Sequence, residues 1–431
     1  MVEKSLLLLF LSDFLRISNR FFLHLPLKMN VEEFIRKNRT ADVRELMLHA
    51  GRYADVDVRQ AVVQIAAWQR ARTKLPLWAA TDGIVFPEQL SMEQCSSEAT
   101  GRYKRELLLP DVYGGMDGEV CRMTDLTGGF GVDATMISRE ADHVKLTFVE
   151  RNPALCGLAR HNLPLLGVRQ AEVVCGEAEQ VLPTLPRQYL IYIDPARRDQ
   201  HGGKTVAIAD CTPDVAQLND LLLEKAERVA IKLSPMLDIT LALQQLHGVE
   251  AVHVVSVEGE CKELLLLMRD GFEGEVQLCC VNLKNDGAAP ERFSFSYQEE
   301  SASPCPLAQA PAAYLYEPNA SLMKAGAFRC VAHRFGLEKL HPSSHLYTSD
   351  RLVPDFPGRK FAVKAWANFN KKELKSLLAG LKQANISVRN SPLSVAELRK
   401  RLKLNDGGTD YLFATTLTDE RHVLIRCEKT R

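Results

Sequence analysis

The sequence predicts an α/β protein: a doubly wound, mostly parallel sheet of seven strands, a helical region before it and a small α+β domain after it. Three observations carry that prediction. Between residues 119 and 268, short β-rich apolar runs alternate with helical stretches, the rhythm of βαβ units. The first run ends in a glycine-rich turn, Asp125-Leu-Thr-Gly-Gly-Phe-Gly-Val-Asp133, immediately before a helix. The last two runs are joined only by Glu258-Gly259-Glu260-Cys261, too short for a crossover helix, so they must lie antiparallel.

The elements follow in order. Residues 1–28 differ from the rest. Their apolar run Leu6–Leu11 is too short to span a bilayer, is followed by Asp13 and Arg16, and lacks a small-residue cleavage site. They are expected to be a non-native or disordered extension, with Met29 as the true start; a peripheral amphipathic anchor and a signal peptide are the weaker alternatives. Residues 29–112 form a helical region, with helical spacing over Val31–Arg39, Ala61–Ala71 and again over 89–109, and breaks at Pro76 and Pro87. In the sheet domain, residues 113–270, strands are expected at Glu119–Leu126, His143–Val149, Ala171–Cys175, Tyr189–Asp194, Val229–Leu233, Val252–Val257 and Glu263–Met268. Helices are expected at Asp133–Ser138, Pro153–Leu166, Pro213–Arg228 and Leu237–Leu246. Residues 271–345 make a small mixed α/β connecting domain. Residues 346–431 hold the α+β unit: strand Lys360–Trp366, helix Lys371–Ala384, strand Ile386–Arg389, helix Ser394–Leu402, and strands Tyr411–Thr416 and His422–Cys427.

Hydrophobic residues make up 46% of the chain and charged residues 25%, which excludes a disordered chain, a collagen-like repeat or a polytopic membrane protein. Eleven cysteines, odd in number, scattered and without a C-x-x-C, read as reduced thiols of a cytoplasmic protein. No membrane partner is expected. Basic and acidic side chains cancel at 54 each, yet residues 351–404 hold thirteen Lys/Arg against three Asp/Glu. A basic block on a small α+β unit points to a polyanionic partner, a nucleic acid. The plain alternative is a solvated face, since Lys371, Lys372 and Lys375 fall on one helix surface.

Chemistry concentrates at the strand ends. Gly128, Gly129 and Gly131 let the backbone turn sharply and approach a ligand where a Cβ would clash, and the amides opening the next helix face an anionic group. Their spacing is not G-x-G-x-x-G, which weakens a dinucleotide reading. Glu150, ending the second strand, is placed to accept both hydroxyls of an adenosine ribose. Glu177 and Ala178 follow the third strand, where a carboxylate and an amide can meet an adenine edge. Asp194-Pro195-Ala196-Arg197-Arg198 ends the fourth. Its proline prevents helix, and a carboxylate with an outward carbonyl accepts both N–H bonds of a planar amine, aiming the lone pair at an electrophilic methyl. Each of these has a plain alternative, a structural turn or a solvated acid. Lys232, ending the fifth strand, is a candidate contact for phosphate or a substrate base, or else a surface lysine. Glu93, Gln94, Ser96, Ser97 and Glu98 form a dense polar segment, with Tyr103 and Lys104 following on the same helix, that can cover such a site or simply cap a helix with a solvated face. Cys330, His333, His341 and His345 fit no common zinc spacing, and no metal is expected.

The constellation resembles class I S-adenosylmethionine (SAM)-dependent methyltransferases, whose Rossmann-like sheet of five βα units and a terminal hairpin is matched in outline by residues 119–268. The resemblance implies SAM as cofactor, with Asp125, Thr127, Gly128, Gly129 and Gly131 in its loop, Glu150 on the ribose, and Glu177 with Ala178 on the adenine. Asp194 and Pro195 match the D-P-P-[YF] element of amino-methyltransferases and would be catalytic, Asp194 also bordering the cofactor, with Arg197 and Lys232 on the substrate. Ala196 replaces the second proline of that element and Arg197 its aromatic, which stacks on a flipped base; a guanidinium also stacks on bases. More narrowly, Ser91-Met-Glu-Gln-Cys-Ser-Ser-Glu98, the glycine run, the Asp194–Arg198 run, Lys232-Leu-Ser-Pro-Met-Leu-Asp238 and Tyr316-Glu-Pro-Asn319 resemble a bacterial family of methyltransferases with a THUMP-like C-terminal domain. THUMP domains bind RNA on tRNA- and rRNA-modifying enzymes, so the resemblance implies methyl transfer to a nitrogen of an RNA nucleotide. A methyltransferase of proteins or small molecules, a catalytically silent RNA-binding protein and an NAD oxidoreductase are the alternatives.

Overall fold

The structure, a computed structural model, describes residues 29–53, 55–109, 120–197 and 208–430. The segment 1–28, Glu119 at the start of the first expected strand, Arg198, and the side chain of Arg197 lie outside the described residues. The chain divides into two units, 1–232 and 233–431.

The first unit opens with helices α1 (Met29–Asn38), α2 (Val43–Leu48), α3 (Val58–Lys74), α4 (Pro76–Ala80), α5 (Gln89–Gln94) and α6 (Glu98–Leu108). Their starts are written locally. Asp42 and Asp57 cap α2 and α3, Pro76 opens α4, and the Ser97 hydroxyl caps α6. That last cap corrects the single helix expected over 89–109: Cys95 is extended and ends α5, and Ser97 begins a new helix.

A parallel sheet follows. Strands β1 (Cys121–Asp125), β2 (Val144–Glu150), β3 (Ala171–Cys175), β4 (Gln188–Ile193) and β5 (Ala226–Leu233) lie in the order β5-β4-β1-β2-β3. Cys121 pairs with Val144, Met123 with Leu190, Leu146 with Ala171 and Gln188 with Ala226. Helices α7 (Val132–Ser138), α8 (Pro153–Leu165), α9 (Ala178–Val181) and α10 (Asn219–Lys225) connect these strands. The helix expected at Pro213–Arg228 is shorter because Ala226, Val229 and Ile231 are buried strand residues. Met123, Leu146, Phe148, Leu190, Ile191 and Ile231 have no exposed surface, as strands covered on both faces require. Strand order reverses between β1 and β4, which puts a switch point at their carboxyl ends. There α6 crosses α7 closely: a Cβ on Gly101 would lie 2.7 Å from the Met136 side chain.

In the second unit, α11 (Ile239–Gln245) leads to β6 (Val249–Val257) and β7 (Glu260–Met268), an antiparallel hairpin turning at Glu258 and Gly259 with positive φ. Two strands beyond the expected set, β8 (Gln277–Leu283) and β9 (Glu291–Ser296), extend it, β8 parallel to β6 and β9 antiparallel to β8. Among the described residues, nine strands thus take the place of the seven expected.

Helix α12 (Tyr297–Ala302) precedes a second sheet. Its strands are β10 (Tyr314–Pro318), β11 (Tyr347–Ser349), β12 (Gly358–Asn368), β13 (Asn385–Val388), β14 (Asp410–Thr416) and β15 (His422–Lys429), and its helices α13 (Ala320–Ala325), α14 (Arg329–Phe335), α15 (Lys371–Leu377) and α16 (Val395–Leu402). The order is β11-β10-β12-β15-β14-β13, with the short strand Glu338–Lys339 beyond β11. One face buries Leu412, Ala414 and Leu424 under Leu374, Leu377 and Leu398 of α15 and α16. The other buries Phe361, Phe413, Val423 and Ile425 with Leu315, Leu340 and Leu346. Helix α15 stops well short of Ala384, and Gly380 then takes a left-handed turn at φ +77°. Among the described residues no helix is long and apolar enough to cross a membrane.

Candidate active site

The chain leaves β1 at Asp125 and turns through the glycines into α7. Gly129 and Gly131 stand at φ +56° and +83°, left-handed conformations that favour glycine, and Gly131 caps α7. The Gly128 amide donates to the Val149 carbonyl at 2.8 Å. A Cβ at Gly128 would fall 2.1–2.5 Å from three atoms of the Phe148 ring, so β2 packs against the turn only because that position has no side chain. Thr127 pins the turn to β4: its hydroxyl accepts from the Asp194 amide at 2.6 Å, while its own amide donates to the Asp125 carboxylate at 3.0 Å.

Four carboxylates gather around this turn. Asp125, Asp133 and Glu150 are buried and Asp194 is half-buried. Glu150 accepts from the Gly129 amide and the Asn152 amide, both at 2.8 Å, and so ties the turn to the end of β2. Burial holds Asp125 well above the usual carboxylate range, and the charges of Asp133, Asp194 and Glu150 reinforce the rise. Asp133 behaves oppositely. Burial works against its charge, but the Lys104 and Lys232 ammoniums outweigh burial and hold its carboxyl below the usual range. Lys104, with no exposed surface, donates to Asp133 at 2.9 Å; the Ser96 hydroxyl donates at 2.6 Å and the Tyr192 hydroxyl at 2.7 Å. Helix α6, the link before it, and β4 thereby converge on the first turn of α7.

Asp194 follows β4, and its carboxylate forms an ion pair with Lys232 of β5. Burial raises the Asp194 carboxyl above its ordinary range, and Lys232 opposes the rise. Lys232, read from sequence as a contact for phosphate or a base, therefore has a carboxylate partner. Pro195 is buried beside it. The Gly176 amide donates to the Glu150 carbonyl at 3.1 Å, placing the turn after β3 next to the end of β2. In that turn Glu177 is exposed and Ala178 buried. The Arg197 backbone pairs with Cys211 in a short antiparallel ladder. Glu98 is an anchor for the helical region, accepting from the Leu77 amide at 2.5 Å and from Arg102 at 3.3 Å. Asp133 and Tyr192 carried no assigned role in the sequence reading. Lys104 and Asp133 lie 29 positions apart, and only the crossing of α6 over α7 brings them together. Among the described residues no group of three or more His, Cys, Asp or Glu is arranged to hold a metal.

Residues 314–357 match the family model of a ferredoxin-like domain, and residues 358–429 match one described as THUMP domain-like. A protein from Porphyromonas gingivalis W83, crystallised as a candidate methyltransferase, is 35% identical, with the match covering 94% of this chain and 98% of that one at a TM-score of 0.81. The chain belongs to that methyltransferase family. A SAM-dependent methyltransferase of two Mycobacterium tuberculosis strains, itself uncharacterised, is 26% identical over 288 residues, covering 65% of this chain and 73% of the relative. The methyltransferase uses SAM as its methyl donor and carries a THUMP-like C-terminal domain. The donor set fits that cofactor: with a sulfonium, an ammonium and one carboxylate SAM is a net cation, and the four carboxylates at the glycine turn outnumber Lys104 and Lys232.

Proposed function

We propose that this methyltransferase transfers methyl to a nitrogen of an RNA nucleotide, in tRNA or rRNA, with Asp194 and Pro195 at the reacting centre. The observation that carries this reading is the double anchorage of Asp194. Thr127 of the glycine turn holds its amide and Lys232 holds its carboxylate, so the acceptor-facing group and the cofactor turn move together. Asp125, Thr127, Gly128, Gly129 and Gly131 would line the cofactor loop, Glu150 would hold the ribose, and Glu177 with Ala178 the adenine. Bound SAM supplies an electrophilic methyl that needs no metal activation. The Asp194 carboxylate and the Pro195 carbonyl accept the N–H bonds of the acceptor and leave its lone pair facing that methyl. The methylated nitrogen must shed a proton, and a carboxyl raised by burial is a stronger base than an ordinary one. Lys232 opposes the rise and favours the charged form of Asp194. The same reading assigns Arg197 to the substrate.

RNA is favoured by the THUMP-like sheet. Helices α15 and α16 turn their leucines inward and leave Lys371, Lys372, Lys375, Lys400, Arg401 and Lys403 exposed. A basic helical face of this kind suits phosphates spaced along a strand. All eleven cysteines are free thiols, as a protein working in the reducing cytoplasm would keep them. Mass spectrometry of nucleosides from RNA of a strain lacking the protein tests the proposal. A methylated nucleoside should vanish, return with the parent chain and stay absent with Asp194→Ala. An unchanged nucleoside profile would refute RNA as the substrate.

A further inference from the structure

The helical region ahead of the sheet contains a cavity of about 390 Å³ that the methyl-transfer residues do not line. Its size suits a planar heterocycle. Glu32 and Arg36 reach it from α1, Arg39 from just beyond α1, Trp68 from α3, and Asp82 and Phe86 from the loop after α4. The Arg39 guanidinium lies over the Trp68 ring, 5.3 Å from its centroid, and the indole N–H is fixed on the Ala79 carbonyl at 2.8 Å. Arg72 lies over the same ring at 5.6 Å, so this wall joins an aromatic ring to guanidinium groups, the side-chain types on which bases stack. Arg39 pairs through one nitrogen with Asp82 at 3.2 Å, but its Nε is buried without a hydrogen-bond partner. An orphaned N–H is costly, and an acceptor on a ligand would relieve it.

Glu32 and Arg36 stand one helical turn apart on α1, so a carboxylate with two acceptors lies next to a fork of donors. Guanine offers the complement. Its N1–H and N2–H donate toward a carboxylate, while O6 and N7 accept from a guanidinium. Adenine would turn its amine toward the arginine and a lone pair toward the glutamate. We propose that this cavity binds a guanine base of the RNA substrate, an inference that rests on the RNA reading above. The cavity is wired to the cofactor turn. Phe86 meets Phe130, the aromatic between Gly129 and Gly131, with ring centroids 6.2 Å apart. Asn162 of α8 holds Val85 through both of its amide atoms, at 3.1 and 2.8 Å. The wall of the cavity thus packs against the turn assigned to SAM.

Isothermal titration of the full chain with guanosine 5′-monophosphate tests the inference. Saturable binding is expected, weakened about tenfold or more by Glu32→Gln or Arg36→Ala, the effect of losing one charge-assisted hydrogen bond. Adenosine 5′-monophosphate should bind about tenfold more weakly than the guanosine nucleotide. Both substituted positions are exposed, and SAM affinity measured without nucleotide should match the parent, which shows the fold intact. No saturable heat, guanosine binding indifferent to both substitutions, or equal binding of the adenosine nucleotide would each overturn it. The two readings fail separately. RNA methylation without guanosine binding removes the cavity and leaves the enzyme. Guanosine binding that answers to Glu32 and Arg36, in a protein that methylates no RNA, removes RNA as the source of the base.

Discussion

Lys104 has no exposed surface and meets Asp133 at 2.9 Å, whereas Lys371, Lys372 and Lys375 on α15 all face solvent. The first lysine sits where charge is desolvated and every partner is specified; the others sit where water screens them and no single partner matters. The glycine-turn end of the first unit uses charge to fix positions, and the THUMP-like sheet leaves these three lysines in water. Substitutions in the two regions should therefore differ in kind as well as in size.

The largest effect is expected at the reacting centre. Asp194→Ala should lower kcat by about 10²–10⁴, the range for losing a positioned acid–base group, with SAM affinity by calorimetry little changed. Retained turnover would show that Asp194 does not face the acceptor. Next, Asp133→Ala removes the carboxylate that the buried Lys104 ammonium meets and should cost about 3–5 kcal/mol in chemical denaturation. Because the folded carboxyl of Asp133 lies below its unfolded value, this stabilisation is present above about pH 4 and is lost as acid protonates it in the folded state. A third measurement is the pH–rate profile. Asp194 must be ionised to take up the proton that the methylated nitrogen sheds, so kcat/KM should fall on acidification through its raised pKa. Lys232→Met removes the cation that favours the charged form, so the acid limb should move to higher pH; a limb that stays put or moves down would break the assignment.

Smaller effects belong to the second region. Converting Lys371, Lys372 and Lys375 together to Gln should leave the melting point near the parent's. RNA binding should weaken, with the log–log salt slope falling by about 2 if all three contact phosphates of a single strand. Least of all, Asp406→Ala removes the solvent-exposed partner of Arg399 and should change stability by no more than about 0.5 kcal/mol. If it cost as much as Asp133→Ala, the contrast between the two regions would be lost.

Much of the first unit was legible because its signals are local. Strands β1 to β4 are short apolar runs separated by helical stretches, and the glycine turn falls at the end of the first of them. The turn after β6 was equally plain, since four residues cannot hold a crossover. Strands β8 and β9 were missed although Asp286-Gly287 between them is a recognised hairpin signal; their alternation is blurred by the paired Cys279 and Cys280. The overlong helix at 213–228 arose because the leucines of α10 run straight into the β-branched residues of β5. At the site, Asp125, Glu150 and Asp194 stand out by position, each at or just after a strand's carboxyl end. The bonds of Asp133 to Ser96, Lys104 and Tyr192 span 29 to 59 residues, and no local pattern encodes contacts of that separation.

The joint at Gly358 carries a practical consequence. It lies where the ferredoxin-like match ends and the THUMP-like match begins. A Cβ there would stand 2.2 Å from the Glu317 carbonyl oxygen, and the Glu317 carboxylate receives both Arg359 and Arg389. Strand β12 is hydrogen-bonded by β10 along one margin and by β15 along the other. A fragment begun at residue 346 would strip β10 away, bare one margin of β12 and free two arginines from their shared acid. Exposed margins of that sort recruit other chains, so the excised piece should clump in the test tube, and nucleic-acid measurements belong on the intact polypeptide.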